Sequence, residues 1–171
     1  MTDNEKLYSI TEKVVLFLLQ KHLTLSVAES ITGGLFSSTL TDVPGCSEVL
    51  MEGIVSYTIA SKVTRLGISQ DCLQKHGVIS SFTAKIMAKN VKKLLQTDYG
   101  ISFTGNAGPG VNETGSQVGT VFIGISNPNG TVVCKECNFS STLHRKEIKY
   151  QTVLTGIEFL WDQIQKYHKI R

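Results

Sequence analysis

The sequence lacks an apolar run long enough to cross a membrane. Its run Val14 to Leu19 falls far short of the ~20 residues a spanning helix needs. Glu12 and Lys13 precede that run closely and no small-residue cleavage site follows, so it reads as a core helix rather than a signal peptide. With no export signal the expected compartment is the cytoplasm, where the four cysteines are expected as free thiols. A dense basic block is missing too. The net charge is +3, and the basic residues are spread out apart from mild concentrations at His144–Lys149 and at the C-terminus. Nucleic-acid binding wants a basic stripe, so no nucleic-acid partner is expected. Internal repeats, low-complexity segments and linkers are absent. With 41% hydrophobic and 18% charged residues over 171 positions, the chain fits one soluble globular domain with a sizeable core.

Several chemical signatures are also missing. Cys134-Lys135-Glu136-Cys137 has redox or half-zinc spacing, yet no second such pair or histidine pair completes a tetrahedral site. On a strand these thiols face opposite sides. No metal is expected. No Gly-Lys-Ser/Thr follows the glycine-rich loop, which excludes the Walker pattern, and the dinucleotide fingerprint does not match either. His22, His76, His144 and His168 show no pairing that points to a triad.

What is present is an alternation of strands and helices. Asn4 to Lys21 forms the first helix, with Leu7, Ile10, Val14, Phe17 and Leu18 on one face. A strand at Leu23 to Ala28 precedes a helix from Gly33-Gly34 to Leu40. Asp42 to Gly45 is a turn. The stretch Val49 to Ile59, interrupted by Glu52-Gly53, is read as a strand in its second half. Ala60 to Leu66 is a helix ended by Gly67, and Ser69 caps a short turn through Leu73. Ser80 or Ser81 opens a helix to Gln96, and Tyr99 to Phe103 is a strand. The hairpin Val118–Ile125 and Thr131–Phe139 turns at Asn127-Pro128-Asn129-Gly130. A last helix starts near Leu143 or His144. This order predicts a three-layer α/β/α sandwich with a mixed, mostly parallel sheet.

Two strand-to-loop junctions carry the chemistry. In Val27-Ala28-Glu29-Ser30-Ile31-Thr32-Gly33-Gly34 a strand turns into a helix. That leaves the Ser30 hydroxyl at the strand's carboxyl end, where open α/β sheets bind ligands. It also aims the helix's free N–H groups there; a plain capped helix gives the same pattern. The second junction, Thr104-Gly105-Asn106-Ala107-Gly108-Pro109-Gly110-Val111-Asn112-Glu113-Thr114-Gly115, offers another hydroxyl and close ligand approach; a surface loop reads the same. Tyr57 and Lys62 are five apart across a strand-to-helix junction. Tyr57 can hydrogen-bond a hydroxyl, and a partly buried Lys62 can act as a base.

These pieces, with Leu40-Thr41-Asp42-Val43-Pro44-Gly45, Gly53-Ile54-Val55-Ser56-Tyr57 and Val118-Gly119-Thr120-Val121, resemble the CinA C-terminal domain family in order and spacing. The resemblance covers nearly the whole chain. It implies a three-layer α/β/α domain over residues 1–171, without the pyrophosphatase-type domain that often precedes it, and a homo-oligomer, dimer or larger. The activity it implies is amidohydrolysis of nicotinamide mononucleotide (NMN) to nicotinate mononucleotide and ammonia in pyridine-nucleotide recycling, with no cofactor.

By that resemblance Ser30 is the nucleophile, Lys62 the candidate base, and Tyr57 and Thr104 the hydroxyls sharing the site. Backbone N–H groups near Thr32 to Gly34 hold the oxyanion. Glu29, Thr32, Gly33, Gly34, Gly105, Asn106, Ala107, Gly108, Arg145 and Lys149 are the expected substrate-binding set. The chain departs from the family at Ile31 for cysteine, Ile59 for asparagine, Asn106 for an apolar residue, Ser116-Gln117 for Lys-Pro, and Lys149 for arginine. Those departures keep two rivals open: a silent nucleotide-binding or regulatory module, and an amidohydrolase of another small amide.

Overall fold

The computed structural model describes residues 2–111 and 115–169; Asn112, Glu113 and Thr114 of the glycine-rich loop lie outside the described residues. In chain order the elements are α1 (Asp3–Gln20), β1 (Leu25–Glu29), α2 (Leu35–Thr41), a single 3-10 turn at Cys46–Glu48, β2 (Leu50–Val55), α3 (Ile59–Leu66), α4 (Gln70–His76), α5 (Ser81–Leu95), β3 (Tyr99–Gly105), β4 (Thr120–Ser126), β5 (Val132–Asn138) and α6 (Arg145–His168). The five strands lie in the order β2-β1-β3-β4-β5. β1 runs parallel to both neighbours, and β3, β4 and β5 continue antiparallel. The predicted three-layer sandwich with a mixed sheet is the one observed.

Strand alternation divides the sheet residues between two apolar layers. Leu25, Val27, Tyr99, Ile101, Phe103, Val121, Ile123 and Ile125 join Val14, Leu18, Phe36, Ile157 and Leu160 in one core beneath α1, α2 and α6. On the other face Ala28 joins Leu66, Leu73, Met87 and Val91 under α3, α4 and α5. All five residues of β1 are buried, as a central strand covered on both faces requires. Each fully buried Leu, Ile, Val or Phe side chain contributes about 1.5–3 kcal/mol, so these layers hold the strand ends of the sheet in place. The helix caps read from sequence are made: Ser80 Oγ accepts from Thr83 N, Ser69 Oγ from Cys72 N, and Gly67 ends α3 in the left-handed region.

Three boundaries stand out against expectation, and the first two shape the site. β2 is the first half of its apolar stretch, not the second. Gly53 is part of this strand, and it packs so close to α2 that a Cβ there would collide with Ser37. The chain leaves the sheet at Ser56, whose N–H donates to Glu29 O. β3 runs on through Thr104 and Gly105, which pair with Phe122 and Val121 of β4, so Thr104 sits on a strand rather than in a loop. α4 continues to His76, three residues beyond the expected end at Leu73. All four cysteines are free. Cys137 packs in the α1/α6 core and Cys134 faces α5, beside Ser81 and Lys85, on opposite sides of β5 as alternation predicts.

Candidate active site

Glu29 and Ser30 end β1 on opposite faces. Glu29 follows Leu25 and Val27 in phase and points toward α2. Ser30 emerges on the α3/α5 face. Its own N–H donates to Phe103 O at 3.0 Å, which pins the turn to β3. Gly33 and Gly34 then take positive φ values of 60° and 97°, a backbone region that glycine enters without a Cβ penalty. This lets the chain reverse in one tight turn before α2.

Lys62 reaches Ser30 from α3. Thr58 caps α3 by accepting from Ser61 N, and that cap sets Lys62 on the inward face of the first turn. Its Nζ lies 2.9 Å from Ser30 Oγ, 2.7 Å from Ser56 O and 3.4 Å from Tyr57 O. The side chain is only 2% exposed. Burial penalises the ammonium form and lowers its pKa from 10.5 to about 8. A neutral amine carries two N–H donors and one lone pair. The two carbonyls match the donors, which leaves the lone pair for the Ser30 hydroxyl. Such an arrangement can take the serine proton.

Ser30 and Lys62 open into a cavity of about 230 Å³ whose wall also includes Tyr57, Thr104, Gly105, Asn106, Ala107 and Arg145. These are eight of the residues expected from sequence. The titratable groups on the wall are Tyr57, Lys62 and Arg145, with no histidine or carboxylate among the lining residues. Three of the four histidines are engaged elsewhere: His144 caps α6, His76 stacks on Phe82 and His168 meets the Tyr99 hydroxyl.

A hydrogen-bonded clasp closes one side of the mouth. Arg145 donates to Gly108 O and to the Tyr57 hydroxyl, both at 2.8 Å. Gly108 N in turn donates to Asn106 Oδ1 at 2.8 Å, and Asn106 Nδ2 donates to Gly110 O and Ser116 O. Asn106 thus folds the loop that presents Gly108 to Arg145. Beyond Arg145 a wider hollow of about 790 Å³ lies against the start of α6, lined by His144, Lys146, Thr142 and Val118 among others.

The remaining expected residues lie off the cavity wall. Glu29 is fully buried. Its carboxylate accepts from Gly34 N, Phe36 N, Ser37 N and Ser37 Oγ at 2.6–3.1 Å. The N-terminus of α2 is therefore already occupied by the protein's own anion. The expectation that its free donors aim at the Ser30 site is corrected on this point: Gly34 N, Phe36 N and Ser37 N are spent on Glu29, and Leu35 N on Thr32 O. Thr32 is fully buried, and its hydroxyl has no partner among the described residues. Gly33 lies under Lys149, whose Nζ would stand 3.5 Å from a Cβ placed there. Gly108 acts through its carbonyl on Arg145.

Sequence reasoning passed over Val78 and Ile79, which form part of the wall. They precede the Ser80 cap of α5, and no motif marks them. The signal available was positional, since a residue entering α5 must pass over the carboxyl end of β3. Ile31 and Ile59, noted as departures, also line the cavity.

The class of protein defined here is an α/β/α fold with a buried serine–lysine pair at the carboxyl end of a central strand. The chain belongs to the CinA C-terminal domain family, matched over residues 7–164. It is 40% identical over 158 residues to a CinA-like protein of Flavobacterium psychrophilum, covering 91% of this chain. A Clostridium beijerinckii relative named for competence and damage induction is 41% identical over 152 residues, 89% of this chain. The chain spans only 36–38% of the length of such relatives. The crystal structure of the competence/damage inducible protein CihA from Agrobacterium tumefaciens superposes with a TM-score of 0.87 at 31% identity, over 92% of this chain and 94% of that one. A CinA superfamily protein from Escherichia coli superposes with a TM-score of 0.87 at 25% identity, over 94% and 92%. Among the described residues, no helix is long and apolar enough to cross a membrane.

Proposed function

We propose that the protein is an amidohydrolase that deamidates NMN through a Ser30 acyl-enzyme, in pyridine-nucleotide recycling. The observation that carries the reading is the 2.9 Å contact between Ser30 Oγ and a Lys62 amine whose pKa is lowered to about 8. Neutral Lys62 takes the Ser30 proton as Oγ bonds to the carboxamide carbon. The carbonyl π pair moves to oxygen, where N–H groups of the turn 31–33 receive it. Lys62 returns the proton to the departing nitrogen, and ammonia leaves. Water, deprotonated by the same amine, adds to the acyl carbon; the C–Oγ bond breaks as Lys62 returns the proton to Ser30 Oγ, and nicotinate mononucleotide is released.

The pyridine ring occupies the 230 Å³ cavity, and the phosphorylated ribose lies over Arg145 toward the hollow at the start of α6. Tyr57 accepts from Arg145, so its own proton is free for the substrate. A fork such as Arg145 suits a phosphate better than a lysine does.

The test is purified protein with NMN in metal-chelated buffer, with nicotinate mononucleotide followed by mass spectrometry and ammonia in parallel. Stoichiometric formation of both is the expected result. A rise in melting temperature with NMN but no product would instead identify a silent binding module. A second reading, hydrolysis of a different small carboxamide, is favoured by Lys149 lying over Gly33 rather than on the cavity wall. A panel of amides compared by kcat/KM distinguishes the two.

A further inference from the structure

Ser30 has two neighbours on its own face of the sheet, and they are not equivalent. On the β2 side stands Lys62. On the β3 side stands Thr104. Glu29 pairs with Phe103 and Ser30 N bonds to Phe103 O, so Thr104 occupies the register position beside Ser30. Side chains at matched positions of adjacent strands share a face with Cβ atoms about 5 Å apart. Ser102 Oγ donates to Ala84 O and Thr104 Oγ1 to Val78 O, which puts both on the α5 side, the side from which Lys62 approaches. Thr104 is 1% exposed and lines the cavity.

A hydroxyl has one proton and two lone pairs. The partner of Thr104, Val78 O at 2.7 Å, is a carbonyl and can only accept. The Thr104 proton is therefore committed, and toward the cavity its oxygen offers lone pairs alone. The geometry points to Thr104 as the residue that makes this pocket selective for a carboxamide, its Oγ1 accepting from the substrate –NH2. This rests on the amidohydrolase reading above.

The chemistry balances. In the tetrahedral intermediate the C–O bond to Ser30 has formed and the C–N bond is still intact. One N–H is held on the β3 side by Thr104, which turns the nitrogen lone pair toward Lys62 on the β2 side. The lone pair takes the lysine's proton, the C–N bond breaks, and the oxyanion's pair restores the carbonyl. The carboxylate product has no N–H and sets an anionic oxygen against an acceptor, which favours its departure. An ester likewise has no donor for Thr104.

The experiment compares kcat/KM of wild type, Thr104→Val and Thr104→Ser on NMN and on the methyl ester of nicotinate mononucleotide. Thr104→Val is expected to lower the amide value about 10- to 100-fold and the ester value less than about threefold. Thr104→Ser keeps the acceptor and is expected to hold the wild-type amide-to-ester ratio. Equal losses on amide and ester, or an unchanged amide value, overturn the proposal and leave the amidohydrolase reading standing. A wild type that turns over no amide overturns both. Should Thr104→Val fail to fold, Thr104→Cys, of similar size and a poor acceptor, is expected to show the same drop in ratio; an unchanged ratio overturns the proposal.

Discussion

Glu29 and Ser30 are consecutive residues at the end of one strand, and the fold treats them in opposite ways. Glu29, on the α2 face, is fully buried and accepts four hydrogen bonds. Every donor at the start of α2 that it meets is matched by one of its lone pairs, so the carboxylate is held as a structural anion. Ser30, on the α5 face, has one side-chain partner, Lys62, and that partner is itself a desolvated amine with no carboxylate beside it. Satisfaction makes the first group inert and stabilising. Incomplete satisfaction leaves the second free to react. Period-2 alternation along β1 separates the two roles without any intervening residue.

Substitutions at these two positions should therefore fail in different ways. Ser30→Ala is expected to lower deamidation by about 10³-fold or more, with a melting temperature close to wild type because the Oγ has one side-chain partner, Lys62, which keeps its bonds to Ser56 O and Tyr57 O. Lys62→Met is expected to cost about 10²–10⁴-fold, measured in the same ammonia assay. A Ser30→Ala protein that keeps its activity would break the comparison at its reactive end.

Glu29→Gln should break it at the structural end. The amide N–H₂ would face N–H donors, and the loss is about 3 kcal/mol, a fall in melting temperature of roughly 6–12 °C. The folded fraction should retain far more activity than Ser30→Ala. An unchanged melting temperature would mean that the four bonds do not hold α2.

Arg145→Met is smaller again. It removes the bridge between Gly108 and Tyr57 but no buried group. A fall of about 10-fold in kcat/KM is expected, mostly in KM for NMN. The unphosphorylated riboside should lose less, which locates the phosphate.

Much of this was legible because strand and helix periodicities mark buried faces. Ser30 and Thr104 were found as residues leaving strands at one end of the sheet, and Lys62 by its spacing from Tyr57 across a junction. Glu29, expected by resemblance among the substrate-binding residues, bonds the start of α2, the face on which alternation along β1 places it. The end of β2 was displaced because Gly53 reads as a break, whereas here it is a strand residue packed under Ser37. Val78 and Ile79 carry no local signature, since only the packing of α5 on β3 brings them to the cavity. The direction of the Thr104 hydrogen bond depends on Val78 O, 26 residues away, a relation no local pattern contains.

The central claim is that neutral Lys62 is the base for Ser30, and the pH dependence of kcat/KM on NMN tests it most directly. With a pKa of about 8, only about a tenth of the enzyme holds the neutral amine at pH 7. The folded form also binds fewer protons than the unfolded chain between about 8 and 10.5, so this group's contribution to stability rises with pH across that window and does not mask the kinetic limb. The predicted profile climbs about tenfold per pH unit below pH 8 and levels above it. A profile flat from pH 6 to 9, or one that levels near 6.5 as for a histidine, would contradict the assignment.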